Sequence, residues 1–160
     1  NIKHRSRIEV MKKMVDIGIS INANGQLMID DLKINDTALA NCVGVDRRVV
    51  RNTVNQILED KKLKKIFRNL KPAGASLVEI AKYLEYSVLI ILADSYKSGI
   101  ISEVSSIFAE NNIVIRQALA EDSHLREEPQ LILIIQGKIN SEIISKIKAL
   151  KSVKGIVLKK

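Results

Sequence analysis

A chain of 160 residues can form one large domain or two small ones, and at 46% hydrophobic and 28% charged it is not disordered overall. Its single cysteine excludes an intrachain disulfide and fits a reducing compartment, so a cytoplasmic setting is expected. The net charge of +8 is placed unevenly: residues up to Pro72 carry 15 Lys or Arg against 8 Asp or Glu, and the remainder carry 11 against 10.

In chain order, "SRIEVMKKMVDIG" has apolar residues at Ile8, Met11, Met14 and Val15, and Gly18 follows Ile17. This predicts an amphipathic helix ended by glycine. "ISINANGQLMI" then predicts a short hairpin, because Asn24-Gly25 is a pair that tolerates positive φ in tight turns. "DTALANCVGVDRRVVRNTVNQIL" predicts two helices. The first is capped by Asp36 and runs to about Cys42, Gly44 breaks it, and Asp46 caps a second running to about Asp60. Cys42 is expected to be a small core residue. "KKLKKIFRNLK" is a short basic helix or a continuation of the previous one. "PAGA" marks a boundary, and the capping-box pattern Ser76 to Glu79 predicts a linker helix reaching Leu84.

From there the elements alternate. "YSVLIILA", "IVIRQALAED", "QLILIIQG" and "VKGIVLKK" predict strands. "SGIISEVSSIFAEN" predicts a helix with Ile100, Ile101, Val104, Ile107 and Phe108 on one face, and "NSEIISKIKALK" another with Ile143, Ile144, Ile147 and Leu150. The order β-α-β-β-α-β is a split βαβ, ferredoxin-like unit. The expected fold class is α+β, with residues 1–72 as a helix-turn-helix domain, 73–85 as a linker helix and 86–160 as the ferredoxin-like unit. Residue 1 is Asn rather than Met, so a short leader is expected to precede this numbering.

A helix-turn-helix needs a small residue where its helices cross, a residue that turns sharply, and branched apolar residues behind both helices. Ala40, Gly44, and Leu39, Val43, Val45 and Val50 fill these roles. The second helix would bury Val49, Val50, Val54, Ile57 and Leu58 and turn Arg47, Arg48, Arg51, Asn52 and Asn55 elsewhere. Arginine can bond guanine, and asparagine adenine, through two hydrogen bonds each, so these are candidate base readers. Lys61, Lys62, Lys64, Lys65 and Arg68 are candidate phosphate contacts. The basic first half fits double-stranded DNA as partner; the alternative is an ordinary solvated basic helix.

In the second half, "ADSYKSGIISEV" joins the first strand to the first helix. Backbone N–H groups near Ser98 to Ile101 would be unpaired and suit a carboxylate, while Asp94 could meet an ammonium group. A free amino acid would present both; the alternative is a plain strand–helix turn. No aromatic in "SVLIILA" or "LILIIQG" could stack RNA bases. His4 and His124 stand apart with no cysteine beside them, so no metal site is expected. No nucleophile–base pair is apparent, so neither an enzyme nor a cofactor is expected. "VLIILA" and "LILII" are too short to span a bilayer, and no secretory segment opens the chain.

With "VDRRVVRNTV" followed by a βαββαβ unit, the sequence resembles the archaeal predicted regulators of amino-acid metabolism. These join an N-terminal helix-turn-helix to a C-terminal ACT domain, and the resemblance covers nearly the whole chain. ACT domains have an acidic residue, a short loop, then glycine before an aliphatic helix start; here these are Asp94, Gly99 and Ile100. The glycine often follows proline, whereas this chain has Ser98. The resemblance implies transcription regulation and an amino-acid effector held by Asp94, Ser95, Ser98, Gly99 and Ile100. It also implies a homodimer or higher oligomer, with Asn112 and Ile113 of another subunit opposite the loop. Leucine-responsive regulators share the same two-part order. An allosteric subunit that docks on a biosynthetic enzyme is the reading from another class.

Overall fold

The computed structural model describes residues 2–94 and 96–159, with side chains from residue 4 onward. The chain is α+β and divides into two compact units, residues 1–74 and 75–160.

The first unit opens with α1 (Ile2–Ile17), which buries Val10 and Met14, with Met11, Val15 and Ile17 partly buried. Gly18 ends it with φ of 80°, and a Cβ there would stand 2.4 Å from the Pro72 nitrogen. Only glycine allows both that backbone conformation and that approach. Three short strands follow as an antiparallel meander: β1 (Ile19–Ile21), β2 (Leu27–Ile29) and β3 (Leu32–Ile34). The hairpin exists, but Ile21 pairs with Leu27 across a five-residue turn. Gly25 has positive φ there and Asn24 does not. The Asn22 side chain organises this turn. Its Oδ1 accepts from the Asn24 and Gln26 amides at 3.0 Å each, and its Nδ2 donates to Gln26 Oε1 at 3.1 Å. β3 is an element the sequence pattern did not predict.

Helices α2 (Asp36–Val43), α3 (Arg47–Glu59) and α4 (Lys61–Asn69) complete the unit. The cap of α2 is Asn35, whose Oδ1 accepts from the Ala38 amide at 2.7 Å, so Asp36 is the first helical residue rather than the cap. Gly44 (φ 74°) ends α2 and Asp46 caps α3, as the sequence predicts. Asp60 then caps a separate helix, its Oδ1 accepting from the Lys62 and Leu63 amides at 2.8 Å. Leu39 and Ala40 of α2 join Val50, Val54 and Ile57 of α3 and Phe67 of α4 in one core with α1 and the meander. Thr53 is also buried, its hydroxyl donating to the Val49 carbonyl at 2.7 Å. Cys42 is exposed, which corrects its expected core position: the buried residues of α2 are Leu39 and Ala40.

In the second unit, the helix predicted over Ser76–Leu84 is only a 3₁₀ turn at Ala81–Leu84. The preceding backbone is tied to a strand instead. The Leu77 amide donates to Gln117 Oε1 at 2.9 Å, and Gln117 Nε2 donates to the Ala75 carbonyl at 2.8 Å. These bonds fix it against β5. β4 (Tyr86–Ala93), α5 (Ile100–Glu110), β5 (Ile115–Ala120), β6 (Gln130–Gln136), α6 (Ser141–Lys148) and β7 (Val153–Lys159) follow in βαββαβ order. The sheet order is β5-β6-β4-β7, antiparallel throughout. Leu89, Ile91, Leu133 and Ile135 face Val104, Phe108, Ile143 and Ile147 of the two helices. On the other face Ala81, with Leu77 and Val78, packs against Val88 and Ile134. Ile101 is 53% exposed rather than part of the core face of α5. No helix of the described residues is long and apolar enough to cross a membrane.

Candidate functional site

α3 divides its side chains between a buried and an exposed side. Val50, Thr53, Val54 and Ile57 are its buried stripe. At about 100° per residue, Arg48, Asn52, Asn55 and Glu59 project from the opposite side, and all four are exposed. Arg47 is exposed on one flank. The first turns of α3 and α4 contain no acidic residue; they hold Arg47 and Arg48, and Lys61, Lys62 and Lys64. Helix starts favour anions, each worth about 0.3–1 kcal/mol. These two starts present cations instead, the arrangement a polyanion would relieve.

The five α3 candidates are not equivalent. Arg48 Nε reaches Asp46 Oδ1 at 3.1 Å, with the arginine side chain 86% exposed. The Asp46 carboxyl is held below its ordinary value of 3.8, first by the Arg48 backbone N–H and then by the Arg48 side chain. Asp46 correspondingly raises the Arg48 guanidinium. Among the described residues, the side chains of Asn52 and Asn55 have no hydrogen-bond partner, and both are exposed. Arg51 is committed elsewhere. Its Nε and Nη2 donate to the Asp36 carboxylate at 2.8 and 2.7 Å, and its Nη1 donates to the Gly25 carbonyl at 2.9 Å. It ties α3 to the start of α2 and to the β1–β2 turn. The exposed Lys61, Lys62, Lys65 and Arg68 lie along α4, with Lys64 partly buried.

In the second unit a cleft of about 710 Å³ lies beside the β4–α5 connection. Lys97, Ser98, Gly99, Ile100, Ile101 and Ser102 line one side, and Ala120, Glu121, Pro129, Gln130 and Leu131 the other. α5 starts at Gly99 (φ 103°) with no side-chain cap, leaving its first N–H groups to a ligand or to water. Asp94 does not line the cleft. Its carboxylate accepts from the Tyr96 amide at 3.2 Å and stands 3.8 Å from Lys97 Nζ. Glu121 is the acid that does line it. One oxygen accepts from the Gln130 amide at 3.1 Å and the other faces Arg126 Nε at 3.5 Å. Ser95 lies outside the described residues. Asn112 (φ 53°) and Ile113 precede β5, which begins at Ile115, and the Ile113 amide bonds the Phe108 carbonyl at the end of α5. Within one chain they sit at the opposite end of α5 from Gly99. Glu121, Gln130 and Lys97 were not predicted, because only the pairing of β5 with β6 brings the first two to the loop.

No family model matches the chain, and no curated protein matches it in sequence. Among solved structures, an AsnC family transcriptional regulator from Agrobacterium tumefaciens is 10% identical, covering 97% of this chain and 87% of that one at a TM-score of 0.32. Escherichia coli AsnC is 12% identical, covering 97% and 89% at a TM-score of 0.27. A homoserine dehydrogenase from Thiobacillus denitrificans is 16% identical over 71% of this chain, at a TM-score of 0.37; the chain spans only 28% of its length.

Proposed function

We propose that this protein is a DNA-binding transcription regulator of amino-acid metabolism, built like the helix-turn-helix and ACT regulators that its sequence resembles. Residues 1–72 bind double-stranded DNA, 73–85 link, and 86–160 sense an amino acid and pair with a second copy. The observation that carries this reading is α3: an exposed Arg48–Asn52–Asn55 stripe directly opposite a fully buried one, with cations at its N-terminal turn. That turn is the part of a recognition helix that meets base edges. Lys61, Lys62 and the other cations of α4 contact phosphates, which position without reading.

The cleft supports an amino acid as effector. The uncapped start of α5 and Lys97 suit its carboxylate, and Glu121 suits its ammonium group. Self-association is supported by the sheet: Leu119, Ile132, Ile90 and Val157 pair in register across all four strands and are only partly covered. A dimer would set two reading heads on half-sites about 34 Å apart or a multiple of it. The effector can change that spacing only by binding one arrangement better than the other.

The test is fluorescence anisotropy with genomic DNA fragments at several salt concentrations. Specific binding should weaken steeply with salt, and Arg48→Ala with Asn52→Ala should abolish discrimination between fragments. Weak binding without salt dependence would end the DNA reading and leave an amino-acid-sensing subunit that docks on an enzyme. A thermal-shift screen of the twenty amino acids names the effector by a single specific hit.

A further inference from the structure

The turn between β1 and β2 lies against α3. Arg51 Nη1 holds the Gly25 carbonyl at 2.9 Å, and a Cβ on Gly25 would stand 3.5 Å from the side chain of Leu58. Arg51 and Leu58 are two turns apart on one flank of α3, and both meet Gly25, so the turn sits against that flank. The Asn22 side chain braces it, bonding the Asn24 and Gln26 amides and Gln26 Oε1 within the turn and Met28 Sδ on β2. Its outer residues, Ala23 and Asn24, are exposed, and the Asn24 carboxamide takes no part in those bonds.

A major groove is about 12 Å wide and an α-helix with its side chains about 10–12 Å across, so a seated recognition helix fills it. Anything fixed to the flank of that helix therefore meets the groove wall, which is sugar-phosphate backbone. We propose that the Asn22–Gln26 turn is a second DNA contact, with Asn24 donating to a phosphate oxygen beside the groove that α3 reads. Arg51 is then a positioning residue. It spaces the turn from α3 and neutralises Asp36, which would otherwise face the phosphates. This inference rests on the DNA-binding reading and adds a surface to it.

The test uses the full chain and the DNA fragment that it binds best. Asn24→Ala should weaken binding severalfold and equally on all fragments, with the salt dependence unchanged, because no charge is lost. Asn24→Lys should bind more tightly at low salt, and the slope of log affinity against log salt should steepen by about 0.9, one added phosphate contact. Leu32→Lys is the control, since Leu32 is 65% exposed on β3, away from the turn; its slope should not change. Wild-type binding with an unchanged Asn24→Lys slope overturns the inference alone, as does equal steepening by Leu32→Lys, which would be net charge only. Failure of the wild type to bind any fragment overturns the DNA reading and the inference with it.

Discussion

Removing either partner of the Arg51–Asp36 pair should destabilise the first unit, and removing both should cost clearly less than the sum. The guanidinium meets both carboxylate oxygens through two hydrogen bonds, at 2.8 and 2.7 Å, and adds a third bond to Gly25. The Asp36 side chain is 14% exposed and that of Arg51 44%. Exposed ion pairs contribute about 0.2–1 kcal/mol, and a two-pronged pair with one nearly buried partner belongs at the top of that range. Arg51→Ala also leaves a half-desolvated carboxylate and an unpaired carbonyl, so its total should reach about 2 kcal/mol. Asp36→Ala should cost about 1 kcal/mol, because Arg51 can turn to water. The cycle closes with a coupling energy of about 1 kcal/mol, read from urea midpoints at constant slope. A coupling below about 0.3 kcal/mol would show that the sites behave independently. Relaxed base preference in Arg51→Ala without loss of stability would show that the residue reads DNA, and would refute the positioning role.

Gly18→Ala should lose about 3 kcal/mol or more in thermal melts, because a positive-φ alanine costs about 1–2 kcal/mol and its Cβ would also strike main chain at Lys71 and Pro72. Gly44→Ala has a similar φ but nothing within 4 Å, so it should show only the backbone part. Cys42→Ser should change stability by under about 0.5 kcal/mol, and Cys42 should react with a thiol reagent in the folded protein. The Asp46 carboxyl is lowered in the folded state, so its contribution is complete above its unfolded value of 3.8 and is lost as pH falls through the lower folded value. Asp46→Asn should flatten that segment of the urea midpoint against pH, and an unchanged profile would exclude the cap as its source. In calorimetry with the effector named by the thermal-shift screen, Glu121→Gln should weaken binding at least tenfold and Asp94→Asn by less; the reverse order would move the ammonium site to Asp94.

The sequence was most legible where one residue type has one physical use. Gly44 and Asp46 mark the break between α2 and α3 because a left-handed residue followed by a capping carboxylate leaves few other solutions. The order of the second unit follows from apolar runs of strand length alternating with 3.6-period stripes. What escaped depends on neighbours distant in sequence. Ser76 to Glu79 has the letters of a capping box, yet Gln117, some 40 residues on, bonds the Ala75 carbonyl and the Leu77 amide and ties this backbone to β5. Arg51 belongs by type to the reading edge, but Asp36 and Gly25 claim it. Glu121 follows β5 with no pattern of its own, and only strand pairing carries it to the cleft. β3 was missed because three residues give no periodicity to read and no pair like Asn24-Gly25, which marked β1 and β2, announces it.

The cations that lead α3 and α4 would weaken both helices were they not each preceded by an aspartate. Asp46 and Asp60 cap these helices through backbone amides, which offsets the unfavourable first-turn charges. The two tasks use different groups. The caps act through main-chain N–H groups, and the Lys and Arg side chains stay free to leave. Arg48 shows how this would work on DNA. Its guanidinium rests on Asp46 Oδ1, the oxygen that also accepts from its own amide at 2.8 Å. A guanine edge or a phosphate can take over the guanidinium without disturbing the amide bond, so the helix start survives the exchange. Where a helix-turn-helix reads DNA through its first turn, a carboxylate cap lets that turn be basic and still folded before DNA arrives.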